Sequence, residues 1–173
     1  VVASISTLGY MVYYAVGAAV SIRVSNFYGR GDLLGVRRAT LAGTHLLAML
    51  AITVSLFFLL VRGHIGWLYT SSEEVVDLVA VLMVILVFYQ FGDSLQIIFA
   101  NALRGVADVT SMAVISFIGY FVIALPVSYI CGFVLNGGIE GIWVGYPVGL
   151  TLTGAMLCWR FYYFLRKRKH SKF

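Results

Sequence analysis

The chain has 173 residues, of which 61% are hydrophobic and only 11% are charged. This composition excludes an ordinary soluble domain and indicates an integral membrane protein. The formal net charge of +5 comes from basic residues that lie mainly between apolar stretches, where they bear on membrane orientation.

Five continuous apolar segments are each long enough to cross a membrane as a helix, namely 1–22, 39–61, 75–103, 109–135 and 141–165. They lack a strict alternation of apolar and polar residues, which favours a helical bundle over a membrane barrel. We therefore predict an all-α integral membrane protein with five transmembrane helices. The connections are short, as at residues 136–138, so neighbouring helices should be antiparallel.

The first segment carries Tyr10, Tyr13 and Tyr14 and is too polar for an anchor that faces only lipid. We expect it to border a cavity or other helices. The chain starts directly in this apolar run, without an initiator Met, a basic leader or a cleavage site. That start predicts a fragment of a longer protein.

Asp93 is the only acid deep inside the third segment, which a capping box of Ser71 and Glu74 is expected to begin. An ionisable group near the bilayer centre costs about 2.5–3.5 kcal/mol, which indicates a functional role. Helical spacing puts Tyr89, Asp93 and Gln96 on one face, with Arg104 further along it and Gln90 and Asn101 close by.

We predict that this polar face lies toward the bundle interior and that Asp93 is a reversible cation site. A bound Na⁺ or a proton would neutralise the carboxylate and reduce the cost of burying it. The alternative is an Asp that is permanently neutral or bonded to a neighbouring helix.

Pro126 lies within the fourth segment, where it removes a backbone hydrogen bond and should bend the helix. The bend has two interpretations, a static packing kink and a functional hinge or cavity wall. In the fifth segment Gly141, Gly145 and Gly149 recur every four residues, which predicts close approach of a neighbouring helix.

Alternate connections differ strongly in basic residues, which predicts the orientation. One set of connections contains eleven of the twelve lysines and arginines, and the other set contains only Arg62. The eleven are Arg23, Arg30, Arg37, Arg38, Arg104, Arg160, Arg166, Lys167, Arg168, Lys169 and Lys172. The positive-inside rule then places the C-terminus in the cytoplasm. The basic tail directly follows a span, so anchoring on anionic lipid is favoured over a nucleic-acid partner.

The residue pattern does not favour an enzyme. The histidines His45, His64 and His170 are scattered over a span, a loop and the tail, without the spacing of metal ligands. No span contains a carboxylate pair. A purely structural membrane subunit would explain the spans but would leave Asp93 without a purpose.

Residues 89–108, YQFGDSLQIIFANALRGVAD, resemble the tenth transmembrane helix and following loop of the MATE family, the multidrug and toxic compound extrusion transporters. Three further stretches agree in order: 19–32 (AVSIRVSNFYGRGD), 119–129 (GYFVIALPVSY) and 138–160 (GIEGIWVGYPVGLTLTGAMLCWR). The chain departs from the family pattern at Asn101 and Ala107, where Gly is common, and near Tyr13, where a Pro is missing.

This resemblance implies that the five spans are the eighth to twelfth helices of a twelve-helix transporter with two bundles. Residues 1–173 would then be an incomplete six-helix C-terminal bundle, without the seventh helix and the N-terminal bundle. It implies a multi-pass protein of the bacterial inner membrane. It also implies that this protein exports amphipathic and often cationic drugs in exchange for Na⁺ or H⁺. No organic cofactor is expected.

The resemblance also assigns residues. Asp93 and Tyr89 match positions that contribute to the cation site, together with a Glu on the seventh helix that is not in this sequence. Further candidates for positions around the cation, or in the substrate cavity, are Gln90, Gln96, Asn101, Tyr10, Tyr13 and Tyr14. The alternative within the superfamily is a flippase for lipid-linked oligosaccharides, although such proteins usually have more basic residues in the central cavity.

Overall fold

The computed structural model describes residues 2–68 and 71–170. Lys172, which contributes to the expected orientation, lies outside them. The described part contains five long helices, and they are α1 (Val2–Gly29), α2 (Leu33–Val61), α3 (Glu73–Gly105), α4 (Val109–Val134) and α5 (Gly138–His170). A single 3₁₀ turn, Ile65–Leu68, lies in the connection before α3. The predicted all-α fold with five helices is confirmed.

Helices α2 to α5 contain stretches that are long and apolar enough to cross a membrane. Helix α1 has 28 residues, and at about 1.5 Å per residue it is also long enough to span. Large apolar side chains remain exposed along these helices, among them Met49, Leu60 and Phe88. In an aqueous protein such surface would promote association, whereas in a bilayer it faces lipid. The chain is therefore a multi-pass membrane protein.

Several helices run past the ends of the apolar segments. Helix α1 continues seven residues beyond 22, and α2 begins six residues before 39. Arginine is a good helix former, so a helix need not stop where its side chains become charged. The boundary between α1 and α2 is set instead by Gly31, which has φ +73°, and by Asp32, whose side chain accepts a hydrogen bond from the Gly35 N–H at 2.8 Å.

The predicted start of α3 is wrong by one residue. Ser72 is the N-cap residue and the helix begins at Glu73, so Ser71 and Glu74 do not form the expected capping box. Glu73 and Glu74 both lie in the first turn, where negative charge interacts favourably with the helix dipole. The dipole interaction explains why two acids stand at this end without the box.

Helix α3 lies at the centre of the bundle. It packs against α1, α2 and α5, while α4 packs mainly against α5. The larger apolar cluster joins α3 to these three neighbours and includes Leu47, Ile98, Leu103, Leu157 and Phe161. Because α3 is surrounded on several sides, its polar residues Gln90, Asp93, Ser94 and Asn101 are buried.

The glycine stripe of α5 is packed against α4, as its spacing predicts. A methyl group added at Gly141 would overlap the Cys131 carbonyl, one at Gly145 would overlap Ser128, and one at Gly149 would overlap the side chain of Ala124. The missing side chains therefore let the two helices approach closely.

Helix α4 is irregular around Pro126. Two stretches with π-helical turns, Ile118–Ala124 and Ile130–Val134, flank the short α-helical stretch Leu125–Tyr129 that contains the proline. Wider turns are one way for a helix to accommodate a residue without a backbone N–H. A hinge at Pro126 stays a prediction.

Candidate functional site

A cavity of about 260 Å³ opens between four of the five helices. Its walls come from α1, α3, α4 and α5, and the lining residues are Tyr10, Tyr14, Tyr89, Asp93, Gln96, Ile97, Ala100, Asn101, Arg104, Tyr120, Tyr146 and Leu150. Helix α3 supplies the largest share because it is the central helix. The polar face predicted to point inward does line an interior cavity.

Asp93 lies deep in this region. At about 1.5 Å per residue, it is about 30 Å along α3 from Glu73 and about 18 Å before Gly105. The residue is only 2% exposed, and its Oδ2 atom is buried without a hydrogen-bond partner in the described part of the chain. A buried carboxylate oxygen without a partner is costly, so this atom is prepared to accept a proton or a cation.

Five tyrosines surround the same cavity, and they come from four helices. Tyr10 and Tyr14 stand one turn apart on α1, with ring centroids 5.9 Å from each other. The others are Tyr89 on α3, Tyr120 on α4 and Tyr146 on α5. Ring faces attract cations, and phenol oxygens can coordinate them. This wall suits a positively charged or aromatic ligand.

Gln96 on α3 and Tyr120 on α4 both line the cavity, so each of these helices presents a polar group at its surface. The Asn101 amide instead donates to the Ile97 carbonyl at 2.9 Å, and its own oxygen Oδ1 is buried without a partner. Both amides therefore keep capacity for another ligand or for water.

Two predicted candidates lie behind the cavity. Tyr13 and Gln90 are 0% and 1% exposed and do not line it. Gln90 faces α1 at Gly9, where an added methyl group would lie 3.2 Å from the amide nitrogen. The Tyr13 hydroxyl and both amide atoms of Gln90 have no hydrogen-bond partner in the described part. These two side chains occupy the interface between α1 and α3, and the close approach permitted by Gly9 buries them.

Pro126 is also outside this cavity. It is exposed on α4 and is not among the lining residues, so a role as a cavity wall stays a prediction. It follows the lining residue Tyr120 by six positions, and the widened turns of Ile118–Ala124, which contain Tyr120, end just before it.

Three polar or aromatic lining residues were not named as site candidates, namely Arg104, Tyr120 and Tyr146. Arg104 was expected at the end of the polar stripe, and the structure places it in the last turn of α3 at the cavity edge. Tyr120 and Tyr146 stand in apolar segments that contain no charged residue near them, so nothing in their surroundings marked them as lining residues. An aromatic residue in a span is usually part of the packing.

Oxygen atoms are available for a hard cation. Among the residues searched, no group of three or more His, Cys, Asp or Glu could hold a metal ion. Hard cations nevertheless bind amide, hydroxyl and carboxylate oxygens. Asp93, Gln96 and the tyrosine hydroxyls fit Na⁺, which the orphaned Oδ2 atom of Asp93 would contact first.

A family model described as MatE matches residues 1–130 of the chain. The crystal structure of the eukaryotic MATE transporter AtDTX14 is 24% identical in sequence and superposes with a TM-score of 0.85 over 97% of this chain. A multidrug resistance MATE family transporter of the MOP superfamily, in an inward-facing conformation, is 16% identical, with a TM-score of 0.89 over 98% of this chain. In each case the chain spans 39% of the other protein's length.

Proposed function

The chain belongs to the MATE family of transporters, and we propose on that basis that the complete protein is a secondary active antiporter. It exports amphipathic and often cationic compounds in exchange for Na⁺ or H⁺. The chain corresponds to the C-terminal bundle of that protein, with a second bundle and the helix before α1 contributed by other parts. The coverage of 39% of each related structure supports this arrangement.

The observation that carries the proposal is the state of Asp93. Its carboxylate is nearly inaccessible, is close to the middle of a span and has one oxygen without a partner. A purely structural acid would be paired, as Asp108 is with Arg160 at 2.8 Å. An unpaired acid beside a cavity of tyrosines and amides is suited to exchange one cation for another.

The proposed orientation puts the Arg104 end of α3 toward the cytoplasm and the Glu73 end outside. The excess of basic residues at the ends of α1, α3 and α5 supports this direction. A cation entering from outside would neutralise Asp93, and its release inward would restore the charge. Each elementary charge that moves inward gains about 2.3 kcal/mol per 100 mV of membrane potential. That energy is available to drive export of the drug.

Tyrosine side chains supply ligand chemistry that supports the proposal. Tyr89 stands one turn before Asp93, so its hydroxyl or ring can face the same cation. Tyr10, Tyr14, Tyr120 and Tyr146 offer aromatic surface to a flat, positively charged molecule. Gln96 and Asn101 add hydrogen-bonding groups at the same surface.

Reconstitution of the full-length protein into liposomes tests this function. Ethidium is loaded on the cytoplasmic side, and its transport is followed by fluorescence under an imposed Na⁺ gradient or an imposed pH gradient. We expect ethidium to move against its own gradient with at least one of the two driving ions. If neither gradient drives transport while the protein is folded, the antiporter proposal is wrong.

A flippase for lipid-linked oligosaccharides is the second candidate, and Arg104 is the observation that favours it. This arginine lines the cavity, so the cavity has one basic and one acidic residue. A guanidinium there could bind the phosphate of a lipid carrier. The same liposomes distinguish the candidates, because a flippase would move a fluorescent lipid-linked phosphate between leaflets and leave ethidium where it is.

A further inference from the structure

A second cavity, of about 280 Å³, lies at the basic end of α5. We call it the basic groove, and it is lined by Arg160, Tyr163, Phe164, Lys167 and Arg168. These residues are three or four positions apart, so they share one face of the helix. The groove is separate from the cavity at Asp93 and has no lining residue in common with it.

Arg168 is held in place by aromatic rings. Its guanidinium carbon is 5.5 Å from the centre of the Tyr28 ring on α1 and 5.7 Å from the centre of the Phe164 ring. The two rings are 6.0 Å apart, so the arginine packs against both. Contacts with ring faces orient the guanidinium but do not use its N–H donors.

Only one of the three cations in the groove has an acidic partner in the described part of the chain. Arg160 donates to Asp108 at 2.8 Å, which neutralises that arginine. In the part of the chain that the structure describes, no carboxylate comes within ion-pair distance of Lys167 or Arg168. Two cations therefore face the same groove without an acidic partner, and one is already oriented. Both cations are therefore available to an anion from outside the chain.

The surroundings of the groove indicate where that anion is located. Trp159 and Tyr163 stack one turn apart with ring centroids 5.9 Å from each other, and both are exposed. Exposed Trp and Tyr at the end of an apolar span are typical of the membrane interface. The groove begins where the apolar residues of α5 give way to the basic tail. It therefore lies at the depth of lipid headgroups.

We propose that the basic groove is a binding site for one anionic phospholipid. Lys167 and Arg168 donate to the lipid phosphate, and an acyl chain lies along Trp159 and Tyr163. A guanidinium with free donors and an ammonium side by side are suited to phosphate oxygens.

Lipid titration of the full-length protein in detergent, followed by native mass spectrometry, tests the site. We expect one phosphatidylglycerol to bind more tightly than phosphatidylcholine. Arg168→Gln should weaken that first binding event about fivefold, the factor expected for about 1 kcal/mol per basic residue. Lys167→Gln should weaken the same binding event by a similar factor. The Lys167 side chain is exposed, so this variant leaves the ring contacts of Arg168 intact.

Arg166→Gln is the matched control, because it removes the same charge from an exposed neighbour that does not line the groove. We expect less than a twofold change for this variant. Equal losses for all three variants would overturn the site in favour of diffuse attraction. Equal binding of the two lipids, or displacement of phosphatidylglycerol by an equal concentration of soluble glycerol phosphate, would also overturn it.

Discussion

At the scale of single residues, two acids of low exposure differ in whether their carboxylate has a partner. Asp108 has a partner in Arg160, and its side chain is 12% exposed. Asp93 is more deeply buried and its Oδ2 atom has no partner in the described part. The paired acid holds the start of α4 against α5, because Arg160 belongs to α5. The unpaired acid is free to respond to a cation.

The paired acid should give the protein a measurable dependence on pH. Burial raises the pKa of the Asp108 carboxyl, but its hydrogen bond and ion pair with Arg160 and the neighbouring Ser111 outweigh burial and hold the pKa below its usual value. A carboxyl with a lowered pKa stabilises the fold above its unfolded pKa and loses that contribution as the pH falls through the folded value. We expect this stability to be lost below about pH 4.

Asp108→Asn should lower the stability of the detergent-solubilised protein by roughly 1 kcal/mol at neutral pH, since it removes one partner of an ion pair that is only partly exposed. Its melting temperature should approach that of the wild type as the pH falls. Asp77→Asn, at an exposed position on α3, should leave the neutral-pH melting temperature unchanged. Equal melting temperatures for Asp108→Asn and the wild type at neutral pH would show that the ion pair is not stabilising.

At the scale of helices, the pattern in the sequence predicts where the helices lie better than it predicts where they begin and end. Apolar runs located all five helices, and the spacing of Gly141, Gly145 and Gly149 predicted the close contact with α4. The ends were missed because arginines continue the helices beyond the apolar runs. Tyr120 could not be assigned to the cavity, because π-helical turns around it break the spacing of 3.6 residues per turn.

The contact between α4 and α5 should be sensitive to a single methyl group. In Gly145→Ala the new Cβ would overlap the Ser128 side chain and backbone, so one of the helices must shift. Overpacking of this kind costs about 1–3 kcal/mol. A lower melting temperature in detergent is the expected result.

Gly29→Ala is the matched control for that variant. It makes the same change at the end of α1, where an added methyl group has no neighbour within 4 Å. Because alanine is the better helix former, this variant should be neutral or slightly stabilised. If both variants melt like the wild type, the close packing of α4 on α5 is not important for stability.

At the scale of the whole molecule, the bundle provides one central helix and two separate polar regions. The interior cavity surrounds Asp93, and the basic groove lies at the far end of α5. The sequence predicted that one face of α3 is inward, because helical spacing aligns Tyr89, Asp93 and Gln96. It did not separate Tyr10 and Tyr14, which line the cavity, from Tyr13, which does not. That separation depends on how α1 is rotated against α3, and Gly9 and Gly17 set this rotation through close contacts with Gln90 and Asn101.

The transport cycle assigned to Asp93 is tested most directly by Asp93→Asn in the full-length protein, with cation-driven ethidium efflux as the measurement. Asn keeps the size of the side chain and removes its charge. We predict that efflux becomes independent of the driving ion and falls at least tenfold, whereas Asp77→Asn, the same change at an exposed position on the same helix, transports like the wild type. Unchanged cation-dependent efflux in Asp93→Asn would show that Asp93 does not couple the cation to drug export.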